Sequence, residues 1–138
     1  MEPSFTVIDG HQLWVEADVL CTRASGPMTP AIVDWIVAAC TGMVARHSDY
    51  YILGNLRDAG PIPADLRRRI VDFARLHPPR AIAFFHVTPL ALGVNALLFG
   101  AINAFRKRKI PLKQFASEAE ARAWLISQRP SLPPSIAG

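Results

Sequence analysis

No glycine-rich phosphate loop, no His-Glu-x-x-His and no Gly-x-Ser-x-Gly occurs in the 138 residues. The chain therefore offers none of the short patterns that by themselves place a phosphate, a catalytic zinc or a nucleophilic serine. Cysteine is scarce. Cys21 and Cys40 are the two, each in an apolar stretch and without metal-ligand spacing. A disulfide framework and a metal centre are not expected, and both thiols read as reduced and buried. Charge is sparse too: charged residues make up 19% of the chain, with 15 Lys+Arg against 11 Asp+Glu for a net +4. That excess does not call for nucleic acid, whose phosphates are met by cations concentrated on one face. Met1-Glu2-Pro3-Ser4-Phe5 contains no apolar signal segment. The stretch Leu90 to Phe105 is almost wholly apolar but spans 16 residues, where a membrane crossing takes about 20. It is also interrupted by Gly93, Asn95, Gly100 and Asn103. No transmembrane segment and no cofactor are expected, and the cytoplasm is the expected compartment.

What the chain has is core. Hydrophobic residues make up 51%, and a chain near 150 residues buries roughly two thirds of its unfolded surface, enough for one domain without staples. Phe5 to Ile8 reads as a strand, Asp9-Gly10 as a hairpin turn, and Leu13 to Leu20 as a second strand with Leu13, Val15, Ala17 and Val19 on one face. Thr29-Pro30 and Thr88-Pro89 are helix starts, a threonine N-cap followed by proline where the missing N–H costs nothing. Ser117 to Glu120 is a capping box. Tyr50 to Leu53, Ala81 to Val87 and Leu112 to Phe115 read as the remaining strands. A helix ending near Leu76 follows the first of these and is stopped by Pro78-Pro79. Asp65 with Arg69, and Arg68 with Asp72, stand at ion-pair spacing on it.

The resulting order, β-β-α-β-α-β-α-β-α, predicts an α/β domain: a mainly parallel sheet with an antiparallel N-terminal hairpin and helices packed upon it. One domain is expected over residues 1–128, followed by a flexible Pro/Ser-rich tail over 129–138.

This order, the element lengths and the closing Phe115…Ala119-Glu120-Ala121-Arg122-Ala123-Trp124-Leu125 resemble the STAS-like domains related to bacterial anti-sigma-factor antagonists. The resemblance spans about residues 4–127 and implies a compact module that binds a protein or small ligand without chemistry of its own. In regulated members of that family a phosphorylatable serine sits where the third strand meets its helix. The matching stretch here, Asn55-Leu56-Arg57-Asp58-Ala59-Gly60-Pro61-Ile62-Pro63, has neither Ser nor Thr.

Three groups of residues compete as sites. His86, at the carboxyl end of a central strand, lies where α/β folds place ligands, and Arg57 and Asp58 stand near it if the strands are neighbours. The bland alternative makes His86 a hydrogen-bonded strand residue and pairs Arg57 with Asp58 or solvent. Arg106-Lys107-Arg108-Lys109 is the strongest charge run, and its plain reading is a set of cations at a helix C-terminus.

The apolar third helix carries the most information. One face presents Leu90, Val94, Leu97, Ala101 and Ala104 and suits the sheet; the other presents Leu92, Phe99 and Ile102 with Asn95 and Asn103 among them. An apolar second side wants a cover. That cover is a homodimer, a protein partner, an apolar ligand, a neighbouring helix, or the chain's own tail through Leu132, Pro133, Pro134 and Ile136. The leading expectation is a non-catalytic regulatory module that binds through Leu92, Asn95, Phe99, Ile102 and Asn103. A carrier of a small apolar or anionic ligand, at Arg57, Asp58 and His86 or under the third helix, is the alternative. An enzyme is the least supported reading.

Overall fold

The computed structural model describes residues 5–104 and 106–130. Strands β1 (Thr6–Ile8), β2 (His11–Glu16) and β3 (Val19–Gly26) are followed by α1 (Pro30–His47) and β4 (Tyr51–Ala59). Then come α2 (Ala64–Leu76), β5 (Ala81–Phe85), α3 (Pro89–Asn103), β6 (Leu112–Phe115) and α4 (Glu118–Ser127). The six strands form one sheet in sequential order. β1, β2 and β3 pair antiparallel, and β3 through β6 pair parallel. The α/β class and the mixed sheet are as expected, with one strand more than the sequence reading allowed.

The extra strand arises at a turn that carries no usual signal. Ala17-Asp18 joins β2 to β3, with Val15 opposite Leu20 and Glu16 opposite Val19. Ala17 has φ of +53°, a conformation that Gly or Asn would have announced. The turn also corrects the face assignment. Leu20 joins Leu13 on one side, and Val19 passes to the side of Trp14 and Glu16.

Alternation along the strands divides the core between the two sides of the sheet. On the first, α1 buries Ile32, Val33, Cys40 and Met43, while α2 and α3 cover Ile82, Phe84 and Leu56. On the second, α4 alone packs Ala121 and Leu125 against Leu53, Ala83 and Phe85, with Phe115 and Trp124 at the rim. The expected N-caps form: Thr29 Oγ1 accepts from Ile32 N, Thr88 Oγ1 from Ala91 N and Ser117 Oγ from Glu120 N. In place of a pair with Asp65, Arg69 reaches Asp34 of α1 at 2.7 Å and ties two helices together.

At the carboxyl ends of the parallel strands β3 and β4 come very close. A Cβ at Gly60 would stand 2.6 Å from backbone atoms of Gly26 and Pro27. Glycine alone fits there, and Gly60 N donates to Gly26 O at 2.9 Å.

The folded part reaches past the expected boundary at residue 128. Arg129 holds both carboxylate oxygens of Asp18 at 2.7 and 2.8 Å, and its guanidinium lies 4.5 Å over the Tyr51 ring. Leu132, Pro133, Pro134 and Ile136, the expected internal cover, lie outside the described residues.

Candidate functional site

α3 contains no charged residue in its 15 positions, and both of its sides are apolar. Packing decides which is inside. Ala91, Asn95, Leu98 and Ile102 face the sheet and are buried, Ile102 completely. Leu90, Leu92 and Leu97 are exposed by 54%, 52% and 70%. The expected orientation is therefore largely reversed. Of the five residues expected to meet a partner, only Leu92 lies open. Ile102 and Asn95 are core, and Phe99 is half-buried with its ring 6.1 Å from that of Phe84. Asn103 Oδ1 accepts from Ile110 N at 2.9 Å, holding the loop that leads to β6.

The outward side is built from Gly93, Ala96 and Gly100, all exposed, with Leu90 and Leu97 along one flank and Leu92 along the other. A Cβ added at Gly93 or Gly100 meets no atom within 4 Å among the described residues outside the helix's own backbone, so none of them requires glycine there. Beside Leu97 a groove of about 360 Å³ runs between α2 and α3, floored by Val71 and Ala101 and edged by Arg67 and Arg68. The C-terminal end of α3 is tied down by cations, Arg75 donating to Ala101 O and Lys109 to Asn103 O. Part of the basic run is thus a helix cap, as its plain reading expected.

Beneath α3, between it, α1 and the sheet, lies an apolar cavity of about 150 Å³. Leu13, Ile36, Ile52, Phe84 and Leu98 are among its walls. A narrower space of about 60 Å³ shares six of its lining residues and extends it toward Gly26 and Gly60 at the strand ends. Three polar side chains line the larger space, His11, Thr22 and Asn95; of these the sequence pattern marked Asn95 alone, and for an outward partner, not for this cavity. His11, read as a turn residue, is the buried first residue of β2, with Nε2 3.2 Å from the Pro27 carbonyl oxygen. Asn95 is only 7% exposed, and its Nδ2 has no hydrogen-bond partner among the described residues.

The strand-end trio is less built. Arg57 and Asp58 lie on the last residues of β4, which continues four residues beyond the expected end at Asn55, and both are exposed. His86 follows β5 with φ of +54°, its ring against Phe85. All three sit at the carboxyl ends of neighbouring strands. Among the described residues no side-chain hydrogen bond or ion pair joins them, and none lines the cavity under α3 or the cleft beside α4.

That second cleft, about 200 Å³, contains the tightest polar cluster. Glu16 Oε2 accepts from Trp14 Nε1 at 3.2 Å, from the Cys21 thiol at 2.9 Å and from Arg122 Nη2 at 2.8 Å. The Arg122 guanidinium is the main cause that holds the Glu16 carboxyl down at about 2. Burial pushes the Cys21 thiol well above its ordinary range and the Cys40 thiol up to about 12. Neither cysteine has a reactive thiolate at neutral pH. These bonds lock β2 and β3 to α4.

Among the described residues no helix is long and apolar enough to cross a membrane, and no three His, Cys, Asp or Glu side chains are grouped to hold a metal ion. No family model and no curated protein matches the sequence. Among solved structures, the fold is similar to that of the anti-sigma factor antagonist SpoIIAA in its unphosphorylated form. The match has a TM-score of 0.52, covers 84% of this chain and 97% of that one, and has 14% sequence identity. With its antiparallel opening strands, its parallel β3–β6 and its four helices, the chain has the STAS-like fold.

Proposed function

We propose that the protein is a non-catalytic regulatory module that works by docking, and that the outward side of α3 docks a second copy of the chain. The observation that carries this reading is the pair Gly93 and Gly100. Each costs about 1 kcal/mol relative to alanine inside a helix, and no contact among the described residues offsets it. Small residues at helical spacing let another helix approach closely, and the flanking Leu90, Leu92 and Leu97 supply the apolar area that such an approach buries. A surface with both a shallow groove and ridges is complementary to itself about a two-fold axis. The absence of charge on α3 removes the repulsion that like charges would bring to that axis. Arg67 and Arg68 at the edge fit the polar rim of an interface.

The likeness to an anti-sigma factor antagonist supports regulation over catalysis. So does the lack of any link among Arg57, Asp58 and His86 at the strand ends. Two buried, reduced thiols fit the cytoplasm, the compartment assigned here. Sedimentation velocity at tens of micromolar tests the reading on the parent chain, Leu97→Asp and Gly100→Leu. The parent sediments as a dimer and both variants as folded monomers with unchanged circular dichroism. A monomeric parent, or variants that remain dimeric, refutes the self-association.

A further inference from the structure

On the inner side of the same helix, we infer that the cavity between α3 and the sheet is a binding site for a small neutral apolar molecule carrying one hydrogen-bond acceptor oxygen. Asn95 is the group that recognises it. Three observations converge. The cavity is of a size and lining that takes a molecule of about six to ten non-hydrogen atoms, since apolar cavities on the order of 150 Å³ hold benzene. Among the described residues its one unpartnered buried polar side-chain atom is Asn95 Nδ2, a donor, so the complementary ligand atom is an acceptor. An access path is present, because the narrower space past Met28, Ile62 and Ala91 opens toward the carboxyl ends of β3 and β4. Those strand ends are where α/β folds receive ligands.

Charge selects the class further. Among the described lining residues there is no Lys, Arg, Asp or Glu, so an ion entering this space would lose its hydration without compensation. His11 is committed by Nε2 to Pro27 O. A ketone, ester or ether on a compact hydrocarbon body meets the walls with carbon and the Asn95 amide with oxygen. The asymmetry of hydrogen-bond energetics makes this selective: a ligand without the oxygen leaves the buried donor unpaired.

Cyclohexanone and methylcyclohexane, equal in non-hydrogen atoms, are the probes. Titrations of the ¹⁵N-labelled full chain are followed by the side-chain amide pair of Asn95, assigned through its bonds to the Asn95 backbone. Cyclohexanone shifts that pair, and with it the backbone signals of Leu98, Ile62 and Ala24. Methylcyclohexane binds at least about fivefold more weakly. Asn95→Leu removes the preference for the ketone while raising the melting temperature of the protein alone, since an apolar group replaces an unpaired donor. The parent titration stands even if that variant does not fold. Equal affinity for the two probes, or shifts confined to the protein surface, overturns the assignment.

Discussion

Glu16 and Asn95 are two polar residues placed among apolar ones, and they meet opposite fates. Glu16 receives three donors from β2, β3 and α4, and its carboxyl is held at about 2. A carboxyl lowered in this way contributes stability above its ordinary value near 4.3, and the contribution is lost as pH falls from there toward 2. The pair with Arg122 is partly exposed, and solvent screening limits its worth to on the order of 1 kcal/mol. Urea unfolding of the parent and of Glu16→Gln is therefore expected to differ by that amount from pH 7 to about 5. The difference closes between about pH 4.3 and 2. A gap that persists unchanged at pH 2 would show that the residue acts through packing and not through its charge. Asn95 lacks such partners, and for that reason it is the residue on which recognition rests.

At the scale of elements, α3 is the informative case. Its two mid-helix glycines touch nothing among the described residues outside their own helix, so Gly93→Ala and Gly100→Ala should each raise the stability of the folded monomer by about 0.5–1 kcal/mol. Thermal unfolding at sub-micromolar concentration, where association is suppressed, measures this. A loss of stability would mean that the outward face is covered within the chain.

The same helix shows why legibility was uneven. Cap chemistry was readable: Thr29, Thr88 and Ser117 all act as the sequence implied, because a hydroxyl before a proline or opposite a glutamate has few other uses. The inward side of α3 was not readable. Both sides are equally apolar, so periodicity locates a helix without saying which way it turns. Asn95, a residue type that usually marks solvent, points in. β3 escaped notice for a related reason. Cys21 to Gly26 mixes Thr22, Arg23 and Ser25 with only two buried apolar residues, Cys21 and Ala24, and reads as loop until β2 and β4 flank it.

For the molecule as a whole, the C-terminal boundary matters to stability. Arg129 is the last described residue with a structural task, and its two bonds hold the Asp18 carboxyl below the ordinary aspartate range. A chain ending at Gln128 leaves Asp18 without that partner and should unfold about 1 kcal/mol more easily in urea than one ending at Pro130. Equal midpoints would place Arg129 among the decorative surface pairs.

The ties that hold the opening hairpin have a consequence for how the protein is made. Glu16 is separated from Arg122 by 106 positions, and Asp18 from Arg129 by 111. On a ribosome the first strands emerge early, and their carboxylates wait for partners translated more than a hundred residues later. β3 in turn cannot enter the parallel sheet until β4 has left the exit tunnel. The domain thus closes near the end of its own synthesis, and a chain interrupted before α4 presents an unlatched hairpin to whatever surveys nascent proteins.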